Sequence, residues 1–460
     1  VGELYRQVAN IAIALWHSKF RRVIMKKMFL VLVSMILVTN AFAGENKNED
    51  ATTTPRSKVI LSEPESQFTE ATDIATLTDA FTMKFKNEAS LKFYGRIEML
   101  TYYDTTSPFL SDWLVFVYPK NAYDGREDSF SMSARGSPFG FLFNMPDSIK
   151  SADISAKLEM DFVGGFTTGS SGTYSPLVRL KQAYVSIDTE HFGFLAGQSF
   201  AIFSPLFPAQ ASWIALGTSG NPWIRLPQLR ATIKYNPIKF EASINRPMGA
   251  NEAFGNQLDD IISDGEQSNM PLIIGRFGYS EDFNSWKLET GASGVFGKEK
   301  IHREETDPTT GVITTLDKKL NIWMFGYDLK IITKYIDFLG EFFIGDNLNT
   351  FFAGVLQGVY IDVPTQKAHS IRAMGGWGQL TFKPTKKLFL NLGAGIDKPR
   401  HSDLVTLTSR TSNFTAFGNV NYNFNKWLGV GLEGSYMRTG YLNKETNSNW
   451  RGLLRTSFTF

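Results

Sequence analysis

From Leu91 to Phe460 apolar residues recur at every second position, in segment after segment. In one stretch Ala152, Ile154, Ala156, Leu158, Met160 and Phe162 alternate with Asp153, Ser155, Lys157, Glu159 and Asp161. A strand sends successive side chains to opposite faces, so this pattern predicts a sheet with one greasy face and one charged face. The same period runs through Leu91-Phe93-Gly95-Ile97-Met99 against Lys92-Tyr94-Arg96-Glu98. It recurs in Ile238-Phe240-Ala242-Ile244 against Lys239-Glu241-Ser243-Asn245. It returns in Trp286-Leu288-Thr290-Ala292, Trp323-Phe325-Tyr327-Leu329 and Leu388-Leu390-Leu392-Ala394, and in the terminal Trp450-Gly452-Leu454-Thr456-Phe458-Phe460.

Interleaving explains why 43% hydrophobic residues yield a mean hydropathy of only −0.15. A polytopic helical membrane protein would pool its apolar residues instead. Cysteine is absent, which removes disulfide scaffolds, thiolate metal sites and cysteine nucleophiles together. The few histidines, among them His191, His302, His369 and His401, show no ligand spacing, so neither metal nor cofactor is expected.

Alternation alone also describes soluble sandwiches and solenoids, so the connections decide. Short joints stand at residues 189–191, 236–237, 280–284, 333–334, 383–386 and 425–426. Long polar segments lie between them, at 105–126, 164–175, 201–224, 247–270, 297–319, 345–367, 398–408 and 439–448. Short turns on one side and long loops on the other are what an outer-membrane barrel requires. Lipid satisfies no backbone N–H or C=O, so a sheet crossing it must close on itself. The fold class expected is therefore all-β: a transmembrane antiparallel β-barrel over residues 91–460, of about sixteen strands. The joint at 136–150, with Phe139, Phe141 and Phe143, leaves fourteen and eighteen strands open.

Ahead of the barrel, Met25-Lys26-Lys27, the apolar run 28–39 and Ala41-Phe42-Ala43 have the form of a secretory signal peptide over residues 25–43. Residues 1–24 precede that signal and are read as an upstream extension of the reading frame. Residues 44–90 are polar, with weak helical periodicity around 74–85, and read as a periplasmic linker or short helix. Residues 1–43 hold six basic residues and one acidic residue; without them, 41 basic residues face 44 acidic ones. That balance gives no reason to expect a nucleic-acid partner.

Specific stretches carry a resemblance. They are Leu158-Glu159-Met160-Asp161-Phe162-Val163-Gly164-Gly165-Phe166, Val178-Arg179-Leu180-Lys181-Gln182-Ala183-Tyr184-Val185, and Leu195-Ala196-Gly197-Gln198-Ser199-Phe200 with Phe203 following. Arg225-Leu226-Pro227-Gln228-Leu229-Arg230, Ala242-Ser243-Ile244-Asn245-Arg246-Pro247 and Phe93-Tyr94-Gly95-Arg96 complete the set. In order and spacing this resembles the DcaP-like outer-membrane porins over residues 91–247. The resemblance implies a sixteen-stranded trimeric channel in the bacterial outer membrane for small, often anionic solutes such as dicarboxylates. It also implies that the loop after the fifth strand folds into the lumen. The terminal Phe460 resembles the signal read by the barrel assembly machinery, and outer-membrane lipid and lipopolysaccharide are the expected surroundings.

Selectivity in such a channel comes from charges lining a wet lumen. The inward faces offer Arg96, Glu98, Lys157, Glu159, Asp161, Arg179, Lys181, Gln228, Arg230, Lys234 and Glu241, with Arg225 and Arg246 at strand ends. Arg179, Arg225, Arg230 and Arg246 are expected to form a basic ladder, since guanidinium forks bind carboxylates at any physiological pH. The competing reading is that they neutralise Glu159, Asp161 and Glu241 across the wall. The face assignment of 178–187 stays ambiguous. Residues 201–224 contain Phe203, Phe207, Trp213 and Trp223 with three prolines, a loop too apolar to stand in water. It is expected to narrow the lumen, or else to pack at a subunit interface.

Two other classes stay in view. A barrel with hydrolase activity at its rim would draw on His369-Ser370, His401-Ser402 or Asp259-Asp260, but adjacent residues are poor geometry for a nucleophile and its base. A non-conducting adhesin or structural barrel is the other. Charged inward faces favour a wet interior, so no catalytic residue is assigned.

Overall fold

Successive hairpins in the computed structural model join into one antiparallel sheet whose last strand returns to its first. The structure describes residues 81–85, 88–122, 127–149, 152–165, 175–213, 216–249, 264–406 and 409–460. The proposed signal peptide, the extension before it and Asp259-Asp260 lie outside them.

Sixteen barrel strands form the wall. They are β1 (Ser90–Asp104), β2 (in two pieces, Ser129–Ser133 and Phe139–Ile149), β3 (Ala152–Asp161), β4 (Arg179–Asp188), β5 (Phe192–Phe200) and β6 (Arg225–Tyr235). β7 (Ile238–Asn245), β8 (Leu272–Phe283), β9 (Trp286–Thr306), β10 (Ile313–Thr333) and β11 (Ile336–Asp346) follow. β12 (Arg372–Phe382), β13 (Leu388–Pro399), β14 (Arg410–Asn423), β15 (Leu428–Tyr441) and β16 (Asn447–Thr459) complete the wall. Pairing of Arg96 with Thr459 through Asp104 with Arg451 closes the cylinder. The 136–150 joint thus resolves into a strand, with Phe141 paired to Leu158.

The faces divide as the alternation predicts. Ile97, Leu392, Phe277, Phe325 and Phe240 point outward and stay exposed, Leu392 at 57%. Their neighbours Glu98, Asn391, Arg276 and Glu241, like Asp328 farther along the strand of Phe325, are buried within the cylinder. An apolar belt of this extent has lipid as its solvent. On β9 it runs from Trp286 to Phe296, eleven residues that rise about 25 Å along the membrane normal at the usual strand tilt.

Three expectations change. The segment 297–319 is not a loop: β9 and β10 continue through it in unbroken register to Thr306 and Ile313, leaving a turn at 307–312. Its charged residues stand in consecutive runs, so both faces carry charge, and two strands that pair with each other need no lipid. Overlapping the end of 345–367, a short ladder pairs Val359–Asp362 with Lys367–Ser370, and its apolar side chains pack under the β9/β10 hairpin against Ile301 and Leu316. Thr82–Lys84, read as part of a weakly helical stretch, is extended and pairs with the start of β1, Met83 opposite Leu91. The lower end of β1 has free ladder positions there, and pairing overrides a weak helical period.

Candidate functional site: a loop fastened across the lumen

Sixteen strands enclose more space than side chains alone fill, and three long loops turn into it. Residues 201–224, between β5 and β6, travel farthest. They are rich in proline and lie outside any ladder, so their amides look to the wall for acceptors. Glu341 Oε1 accepts from the Leu206 amide at 2.7 Å, Gln379 Oε1 from Ala209 at 2.6 Å and Glu433 Oε2 from Ala211 at 2.6 Å. The Trp213 indole donates to Glu98 Oε1 at 2.7 Å. On the return, Ser219 and Thr415 hydroxyls meet at 2.8 Å. These anchors belong to β11, β12, β15, β1 and β14, an arc half a circumference away from β3 to β7.

Apolar contacts seat the same loop. Phe203, fully buried, meets the Phe351 ring at 5.0 Å, within a cluster that includes inward Leu226, Ile274, Met324 and Phe343. Trp223 stacks on Phe352 at 4.9 Å and Phe207 meets Trp223 edge-on. Gly220 has φ +94, and a Cβ there would lie 2.3 Å from the Gly376 carbonyl oxygen, so the loop backbone presses directly on β12. The glycine pair Gly375-Gly376 is itself crowded by the flanking strands, a Cβ on Gly376 lying 2.5 Å from the Glu341 carbonyl oxygen. Loop 105–118 joins through Val115 and Phe116 against Val355, and Arg410 Nε donates to the Val355 carbonyl at 2.8 Å.

The wall that these anchors leave uncovered carries most of the charged residues singled out from the sequence. Glu159 receives Lys181 at 2.7 Å and Lys157 at 3.8 Å, two cations on one carboxylate. Arg230 is hydrogen-bonded by the neutral oxygens of Gln228 and Phe200, and Gln228 donates to the Ser199 carbonyl. Glu241 meets Lys239 at 3.0 Å and Arg276 at 3.8 Å, while Arg276 forks onto Asp328 at 2.7 Å. Lys234 pairs with Asp188 at 2.7 Å near the short turns. Arg96 and Glu98 lie together on β1, 3.1 Å apart, with Arg455 also on Glu98.

The four arginines expected in one ladder divide. Arg179 is forked onto Asp161, at 3.1 and 2.7 Å, the neutralising arrangement weighed against the ladder. Arg225 lies over the Phe200 ring at 4.3 Å and the Trp223 ring at 5.0 Å, close enough for its charge to reach Glu159 and Lys181. Arg246 is held at the rim by Glu266 and is half exposed. A bulge settles the faces of β4: Glu159 pairs with Gln182 and Met160 with Leu180, so Lys181 is the extra residue and reaches Glu159 from the same side as Gln182. Val185 and Ile187 face outward.

The sequence reading omitted Arg276, Glu341, Gln379 and Glu433, although each holds an inward position in an alternating strand. At the rim, His369 Nε2 faces the Asp403 carbonyl and the Ser370 hydroxyl donates to Asn321, so the two residues face separate partners. Among the described residues there is no group of three or more metal-ligating side chains.

No family model matches the sequence, and no curated protein does. Solved structures do. The outer membrane channel DcaP of Acinetobacter baumannii matches with TM-score 0.64 at 14% identity, over 82% of this chain and 99% of that one. OmpF of Salmonella typhi, solved with daunomycin, matches with TM-score 0.53 at 10% identity, over 82% and 100%. OmpT of Vibrio cholerae matches with TM-score 0.51 at 12% identity, over 82% and 100%. The likeness is one of fold: the chain is a closed antiparallel β-barrel of the kind seen in these outer-membrane channels.

Proposed function

Starting from a barrel with the fold of the DcaP channel, we propose a passive diffusion channel for small hydrophilic solutes that favours anions, dicarboxylates among them. One observation carries the reading. The loop 201–224 is fastened to Glu341, Gln379, Glu433 and Glu98, which leaves Lys157, Lys181 and Arg230 on the far wall. Carboxylates behind the loop and surplus cations opposite it set up a field across the passage, and a field confined between low-dielectric walls sorts solutes by charge. Phe203, Phe207, Trp213 and Trp223 give the loop its fixed position, so the constriction is rigid. No covalent step is needed, and the reading is non-enzymatic. A homotrimer, supported by the likeness in fold, and recognition of Phe460 by the assembly machinery belong to the same proposal.

The test is reversal potential in a salt gradient across a planar bilayer, for the wild type and Arg225→Ala/Arg230→Ala. A weaker anion preference in the variant supports the reading; an unchanged potential removes both residues from selectivity. Dicarboxylates added to single channels should produce blocking events. A barrel that conducts no ions at all would overturn the proposal in favour of a structural role. Crosslinking in detergent tests the trimer.

A further inference from the structure

Within the cylinder, Arg179, Arg276, Arg451 and Arg455 each bring a guanidinium nitrogen to 2.7 Å from a carboxylate. Arg410, the half-buried first residue of β14, departs from that pattern. The Gln357 side chain clamps its backbone, accepting from its amide at 2.9 Å and donating to its carbonyl at 2.8 Å. Its Nε donates to the Val355 carbonyl, and its guanidinium lies 4.5 Å from the centre of the Phe116 ring. Phe116 stacks on Phe109 at 4.7 Å with Tyr118 edge-on, so the cation rests on an aromatic floor. Among the described residues its two terminal nitrogens make no hydrogen bond, and no carboxylate pairs with it. Asp397 takes the Val355 amide at 3.3 Å, but its charge does not reach Arg410; the ionisable group that does is the Tyr441 phenol.

Taking a cation partly out of water costs free energy unless a counter-charge compensates it. The aromatic face offsets part of that cost, and the rest falls to an anion from outside the chain. With Nε engaged, the end of the guanidinium is the open fork, and it matches the two oxygens of a carboxylate. A low-dielectric floor strengthens such a pair relative to open water. We propose that Arg410 is a binding site for the carboxylate groups of small organic anions at the long-loop mouth, ahead of the constriction. Its height on the wall fits this role. Asn413 donates to the Val115 carbonyl at 2.9 Å and the Thr218 hydroxyl at 3.1 Å, which marks where the 201–224 loop meets β14. Arg410 stands three residues nearer the long loops, about 10 Å along the strand. The inference deepens the anion-channel reading and rests on it for the direction of travel, whereas binding at Arg410 is measured without any conduction.

The experiment treats the wild-type barrel in detergent with phenylglyoxal, which modifies accessible guanidinium groups, and uses succinate as the probe. Succinate should slow modification of Arg410 by about threefold or more, read by mass spectrometry of the peptide that carries it. Arg400, whose fork is already filled by Asp403, should react at one rate with and without succinate. Neutral succinamide should protect neither residue. Equal Arg410 rates with and without succinate, protection by succinamide, or an Arg410 that the reagent cannot reach would each overturn the proposal. In planar bilayers, succinate added from the long-loop side should enter Arg410→Gln channels about threefold or more slowly than wild type. From the short-turn side the rate should not change. If that variant does not assemble, Arg410→Lys keeps the charge, loses the fork and should show a smaller fall in the same direction. An equal fall from both sides, or none from either, would overturn the proposal as well. A wild-type barrel that conducts no ions would end the channel reading, while the protection of Arg410 would still decide this one.

Discussion

The Trp213 indole N–H donates to Glu98 Oε1 across 2.7 Å, joining the far reach of the 201–224 loop to the strand at which the barrel closes. Glu98 also holds Arg96 and Arg455, so its charge stays compensated if the indole is removed. Trp213→Phe keeps the ring and deletes one hydrogen bond to a charged group, worth about 1.5–3 kcal/mol. The barrel should remain folded while the loop moves more freely. Single-channel recordings should show greater open-state noise, with the main conductance level kept.

Gly220 makes a sharper test, because its backbone is left-handed and lies against Gly376. Gly220→Ala introduces both a strained φ and a collision with a carbonyl that the β12 ladder holds in place, a penalty of roughly 1–3 kcal/mol. The loop should lift from β12. Protease cleavage within 201–224 should rise in the folded protein, and conductance should change with it.

Arg276 and Asp328 form a buried fork inside the wall. Arg276→Met should destabilise the barrel by about 3–5 kcal/mol, because Asp328 is left without its counter-charge. Arg276→Met/Asp328→Leu should recover much of that loss. Urea unfolding in detergent, read by tryptophan fluorescence, measures both.

Outside the membrane, burial alone would raise the Asp403 carboxyl, but the Arg400 fork and the Arg372 amide outweigh it and hold it below its ordinary value. A carboxylate with a depressed pKa stabilises the fold above its unfolded value, and that contribution fades as pH falls through the lower folded one. Hydrogen exchange at the Arg372 amide, which donates to Asp403 Oδ2 at 3.1 Å, should therefore be slower in the wild type than in Asp403→Asn at neutral pH. The difference should disappear in acid below the folded value.

The barrel was legible because its cause is local: a period of two, broken by turns, is written residue by residue. So was the inward turn of the 201–224 loop, since an apolar, proline-rich segment must find cover. What stayed hidden depends on neighbours distant in the chain. The bulge at Lys181 shows only when β3 is set beside β4, because one extra residue does not disturb the composition of either. Arg246 stands at a strand end, where alternation no longer fixes its face, and Glu266 from the next loop captures it at the rim. Glu341 and Glu433 were passed over in the sequence, and only the loop's path makes them anchors. Residues 297–319 misled through their polarity, which marks a hairpin clear of lipid as well as it marks a loop.

The seam between β1 and β16, where Gly95 and Phe460 exchange both backbone hydrogen bonds, has a genetic consequence. Until the final residues arrive, two raw ribbon edges would face hydrocarbon with nothing to pair them. Removing the β16 residues Asn447–Thr459 should therefore abolish the protein outright, leaving cells with no barrel in place of a leaky one.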